Sequence, residues 1–206
     1  MGHGIEQPVP ERSAHTGSWP EFPRDDFERV RAGDAVALGM FFDHYFPRVF
    51  ATVYRLVGER ALAEDITQNV FMKLQRTLAR VDGSRNLAPW LFTVCVNACR
   101  DHWRSSGWRM ARNSVPLSDP GILASLRAES GDPEEAALAC ERDERVQTAL
   151  RRLPSPLRMA VVLHDCDGLG HEEVARITGV SHAAARKRHS RALRVLAELL
   201  REKVGS

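Results

Sequence analysis

No apolar run in this chain approaches the ~18 residues that a membrane-spanning helix requires, so no membrane insertion is expected. The four cysteines, Cys95, Cys99, Cys140 and Cys166, include no CxxC pair and follow no signal peptide. That argues against a disulfide framework and for reduced thiols in a cytoplasmic protein. Aromatic residues are scarce, at 7%, and glycine and proline cluster outside the periodic stretches. Both features point to helices. Net charge is nearly absent, +2 over 206 residues, too little to argue by itself for a nucleic-acid partner. Paired carboxylates, a nucleophile motif and a glycine-rich phosphate loop are also missing, so neither an enzyme nor a cofactor is expected.

Charge is unevenly placed along the chain. Residues 181–206 carry seven Lys/Arg and two Glu, a net of +5, whereas residues 116–150 carry three Arg and eight acids, a net of −5. A basic module therefore follows an acidic one. Within the basic module, residues 172–178 read as a short helix with Val174, Ala175 and Ile177 inward. Gly179 suits the left-handed residue that ends a helix, and Ser181 suits the cap of the next one. At roughly 100° per residue, Ala185, His189, Ala192, Leu193, Leu196, Leu199 and Leu200 share one arc. Arg186, Lys187, Ser190, Arg191 and Arg194 share an arc nearly opposite. One face can dock on a core while the other enters a major groove, where Arg reads guanine and Lys or Ser holds phosphate. The spacing is that of a helix-turn-helix.

Residues 1–24 are rich in proline and glycine and predict a disordered tail. Two helices are expected over 25–58: Asp34 caps the second, Phe41, Phe42, Tyr45 and Phe46 belong to its apolar set, Pro47 kinks or restarts it, and Gly58 ends it. Residues 61–78 form a helix buried through Ile66, Val70, Phe71, Leu74 and Leu78, with Asp65, Gln68 and Asn69 outside the stripe. A turn-rich loop over 81–89 precedes a helix from Trp90 to Trp103, with Trp90, Leu91, Val94, Cys95 and Ala98 inward. Asn97, Arg100 and Arg104 lie on its wetter side, where cations and aromatics interleave as single-strand binding requires. Cys95, Cys99 and His102 could share a helix edge as metal ligands, but the fourth ligand is unspecified; buried thiols are the expected reading and no metal is assigned. Residues 109–131 lack any period and serve as a linker. Asp132-Pro133-Glu134-Glu135 starts a further helix, Pro154 breaks it, and 157–166 form the helix before the helix-turn-helix. The expected fold is all-α: two small helical domains joined by a flexible linker, with the helix-turn-helix in the second.

AEDITQNVFMKL, PWLFTVCVNACRDHWR and the stretch from LRRLPSPLRM to ARKRHSRAL resemble the extracytoplasmic-function (group IV) RNA polymerase sigma factors. The resemblance implies sigma region 2 over 25–108, which binds core polymerase and the −10 element, and sigma region 4 over 132–206, which binds the −35 element. By position it assigns Asp65, Gln68 and Asn69 to polymerase binding, with Asn69 standing where an acid is usual. It assigns Ser84, Arg85, Asn86, Asn97, Arg100 and Arg104 to the −10 strand, the first three in a loop that would hold a flipped base. Ser181, Arg186, Lys187, Ser190 and Arg191 fall on the −35 surface. His189 replaces a usual aliphatic residue. The implied partners are the β′ clamp helices and β flap of core RNA polymerase and promoter DNA; many relatives also have an anti-sigma protein, and nothing in the sequence identifies one. The alternative is a helix-turn-helix regulator that acts without polymerase.

Overall fold

The computed structural model describes residues 21–81, 87–104 and 133–202, and every regular element among them is helical. The first half comprises α1 (Arg24–Arg31), α2 (Ala35–Val57), α3 (Arg60–Thr77) with a single 3₁₀ turn after it, and α4 (Ala88–Arg104). The second comprises α5 (Pro133–Arg152), α6 (Ser155–Val161) running into a π turn over Val162–Cys166, α7 (His171–Thr178) and α8 (His182–Glu202). The expected all-α fold with two helical units is what the chain forms.

Local chemistry explains the ends of these helices. The Asp34 carboxylate accepts from the amides of Val36 and Ala37 at 2.9 and 3.2 Å, capping α2. Gly58 takes φ +82° to leave it. Pro47 does not restart α2, which runs on to Val57; both Pro47 and Asp43, whose carbonyl loses its partner, lie on the wet side. Phe41, Tyr45, Val49, Val53 and Leu56 are buried on the other side against Ile66, Val70 and Leu74 of α3 and Leu91 and Cys95 of α4. Two aromatic expectations change. Phe46 is exposed, although its ring stacks beside those of Phe50 and Phe71. Trp90 is only partly buried.

The two halves share one hydrophobic core. They meet where α2 ends. The amide of Gln147 donates to the Tyr54 carbonyl at 2.9 Å, Arg158 to the Leu56 carbonyl at 2.6 Å, and Arg151 to the Gly58 carbonyl at 3.4 Å. A helix leaves its last carbonyls without intrahelical donors. Here Arg158 and Arg151 supply donors to the carbonyls of Leu56 and Gly58, while Gln147 adds a second bond to the Tyr54 carbonyl, which already accepts from the Gly58 amide, so the second half caps the first. Arg158 is buried and also donates to the carbonyls of Arg151 and Leu153 at 2.6 and 3.0 Å. Deeper in the seam the Thr52 hydroxyl donates to the Asp167 carboxyl at 2.9 Å, both groups being buried.

Candidate nucleic-acid interface

The turn between α7 and α8 forms as its residues require. Gly179 adopts φ +68°; the amide of Val180 donates to the Ala175 carbonyl at 3.0 Å and that of Gly179 to the Arg176 carbonyl at 3.3 Å. This is the paired closure that a left-handed glycine permits. Ser181 Oγ then accepts from the Ala184 amide at 3.2 Å, capping α8. At the other end of α7, the Glu173 carboxylate accepts from the Gly170 amide at 3.0 Å.

These closures aim α8. Ala185 and Ala192 are buried, while Arg186, Lys187, Ser190, Arg191 and Arg194 are all exposed along the opposite side. The small alanines let α8 approach α6 and α7 closely. Leu193, expected inward, is 44% exposed because it lies at the margin of that contact. Thr178 and Ile177 are buried beneath the turn. A rigid helix with one cationic row clear of its own domain can contact phosphates and base edges without rearrangement.

In the first half, Asp65, Gln68 and Asn69 are exposed together on α3. Met72, one turn further on, is 55% exposed and sets an apolar side chain beside that polar row. The sequence reading did not single it out, although its spacing from Gln68 and Asn69 placed it on the same face. On α4, Asn97 and Arg104 are exposed and Arg100 is half-buried. Arg100 donates to the Thr178 carbonyl at 2.6 Å, at the negative end of α7. Its pKa lies below the ordinary value, first because of burial and then because of the nearby cations Arg104 and Arg188. A group expected to meet the −10 strand is thus held by the helix-turn-helix, with cations gathered at the seam. Ser84, Arg85 and Asn86 lie outside the described residues.

Cys95 and Cys99 are fully buried. Burial raises the Cys95 thiol well above its ordinary range and pushes Cys99 up to about 12. Such thiols are core groups rather than reactive ones, and they form no ligand cluster with His102 among the described residues. His189 had no evident partner in the sequence. In the structure its Nε2 lies 2.7 Å from the Asp165 carboxylate, and its ring sits beside His164 and His171.

Comparison with known proteins accounts for both halves. The sigma-70 region 2 profile matches residues 41–109, and the sigma-70 region 4 profile matches residues 143–196. The ECF RNA polymerase sigma factor BldN of Streptomyces coelicolor is 31% identical over 84% of this chain, which spans 64% of that relative's length. The ECF RNA polymerase sigma-E factor of Escherichia coli is 31% identical over 80% of this chain and 87% of its own. The chain belongs to the extracytoplasmic-function RNA polymerase sigma factors. A solved relative of this sigma factor, RpoE of Bartonella quintana in complex with the anti-sigma factor NepR, shares 26% identity at a TM-score of 0.59, covering 79% of this chain and 96% of that one. The α3 and α4 faces fall within the matched region 2, and α7 and most of α8 within region 4.

Proposed function

We propose that this sigma factor, of group IV, binds core RNA polymerase and directs it to promoters through −10 and −35 elements. The observation that carries this reading is the exposed row of Arg186, Lys187, Ser190 and Arg191 on a helix fixed by the Gly179–Ser181 turn, in the same chain as the α3 face. The reading takes 25–108 as region 2 and 132–206 as region 4, with 109–131 as linker; the grouping of α1–α4 and α5–α8 and the two profile matches support that division. The α3 face of Asp65, Gln68 and Asn69, extended by Met72, docks on the β′ clamp helices; region 4 meets the β flap. Asn97, Arg100 and Arg104, with the loop of Ser84, Arg85 and Asn86, hold the −10 strand. Capturing unstacked bases there stabilises the opened duplex. Ser181 with the α8 row holds the −35 duplex. The protein makes and breaks no bond itself, so it is not an enzyme.

Polymerase as partner puts the protein in the cytoplasm, and no helix among the described residues is long and apolar enough to cross a membrane. Control by an anti-sigma protein is part of the proposal, supported by the NepR complex of the Bartonella relative. A regulator that acts without polymerase is not favoured, because region 2 then has no role.

Run-off transcription with core polymerase tests the reading. A promoter-specific start that depends on the added protein is expected, and its absence refutes the proposal. Arg186→Ala with Arg191→Ala should lose −35-dependent initiation. A good bidentate Arg contact contributes about 1–3 kcal/mol of discrimination, so unchanged promoter preference would remove α8 from the readout.

A further inference from the structure

We propose that His164, His171 and His189 form a binding site for one divalent transition-metal ion of the zinc class, which ties α8 to α6 and α7. The three imidazoles come from three separate elements: the π turn, the first residue of α7 and the middle of α8. They present ligand atoms that all lie within 4.8 Å of one another.

The hydrogen bonds fix where their protons sit. His164 Nδ1 is 2.7 Å from the Leu169 carbonyl oxygen. A carbonyl only accepts, so Nδ1 carries the proton and Nε2 keeps a lone pair. His189 Nε2 is 2.7 Å from the Asp165 carboxylate, so Nε2 carries the proton and Nδ1 keeps the lone pair. That lone pair faces His171 Nε2 at 3.3 Å. A tetrahedral ion with metal–nitrogen bonds of about 2.0–2.1 Å needs its ligand nitrogens about 3.3–3.4 Å apart. The His171–His189 pair is already at that separation. Shifting the His171 proton to Nδ1 turns its Nε2 into a ligand, and a small rotation of His164 brings in the third.

The support behind the ligands is also that of a metal site. Metal-binding histidines characteristically donate their other ring N–H to a carboxylate or a backbone carbonyl; here Asp165 serves His189 and Leu169 serves His164. Arg186 is a cation whose field reaches His171, while the Asp165 carboxylate, of opposite sign, sits on His189. None of the three rings is fully buried, so water can complete the coordination; the His182 ring lies 6.4 Å from that of His171. The π turn places Asp165 and His164 in this arrangement, and such turns recur at functional sites. Imidazole ligands suit zinc, copper and nickel rather than magnesium or calcium.

The test uses the full-length chain, stripped with a chelator and titrated with Co²⁺ as a spectroscopic stand-in. The expected result is one equivalent bound per chain, with the visible ligand-field bands of a nitrogen-ligated tetrahedral ion, no thiolate charge-transfer band, and displacement by Zn²⁺. His171→Gln and His189→Gln should abolish those bands, with helicity checked by circular dichroism. His171 begins α7 and can be replaced without opening the core, so its variant keeps the test valid if the His189 variant unfolds. Asp165→Asn should weaken binding about 10–100-fold. His102→Gln should leave it unchanged. Absence of the bands, or bands that persist at full strength in His171→Gln, would overturn the proposal.

Discussion

Arg158 shows how one side chain can join two halves of a molecule. Its guanidinium is buried and donates to carbonyls of Leu56, Arg151 and Leu153, which belong to the ends of two helices. Guanidinium suits this role because its donors fan out in a plane, and two negative helix ends balance its charge. Arg158→Ala strands those carbonyls in the core, and a loss of about 2–4 kcal/mol is expected in urea unfolding. Asp167 behaves differently. Burial raises its carboxyl to about 7, despite the Thr52 hydrogen bond and the fields of Arg55 and Arg48, which pull it down. An unfolded aspartate titrates near ~3.9. Between those values the folded chain holds a proton that the unfolded chain has released, so stability falls as pH rises through that window. Asp167→Asn should flatten that fall, as read from urea midpoints across the window. An unchanged slope would assign the pH dependence to other groups.

The helix-turn-helix was readable in advance because its determinants are local. Gly179, Ser181 and the two arcs of α8 act within a few residues of one another, and the structure places them as their chemistry demands. Gly179→Ala forces an L side chain into the left-handed region and should cost about 1–2 kcal/mol. Ser181→Ala should cost about 1 kcal/mol, and both should weaken −35 DNA binding in a gel-shift titration. Gly58→Ala should cost more than Gly179→Ala. Nothing lies near a Cβ added at Gly179, whereas at Gly58 it would collide with the Arg151 stem, disturbing the seam as well as the turn. Equal losses for the two would mean that Arg151 moves aside freely. The errors in reading α2 and α8 share a cause. Helical periodicity tells which residues share a face, not how far a neighbouring helix covers it, so Phe46, of the α2 apolar set, and Leu193, on the docking arc of α8, stand exposed.

On the proposed function, the docked arrangement of the two halves is not the one that reads both promoter elements at once. The −10 and −35 elements lie about 25 base pairs apart, or ~85 Å at 3.4 Å per step, and the two surfaces here share one core. Residues 105–132 can span at most about 95 Å when extended, enough for the halves to separate. Arg104 and Arg188 lie close enough to Arg100 to act on it at the seam, and phosphates would relieve that repulsion. Fluorophores on α3 and α8 should therefore report high energy transfer in the isolated protein and a large drop on adding core polymerase with promoter DNA. Thr52→Val, which removes a hydroxyl from the seam, should lower the transfer before DNA is added. Equal transfer with and without promoter complex would mean that the halves stay together.

Local chemistry written along the chain was enough to locate most helices, the caps at Asp34, Gly58, Gly179 and Ser181, the basic row of α8 and the polar row of α3. Each depends on residues three or four apart, whose relation survives any packing. The resemblance to sigma factors rested on those same rows. Contacts between distant residues were beyond its reach: Arg158 capping α2, Asp167 buried against Thr52, Arg100 held by Thr178, and three histidines from separate elements brought to one point. Sequence separation carries no signal for such meetings. They follow from how whole helices settle against one another, and that was decided by the shared core.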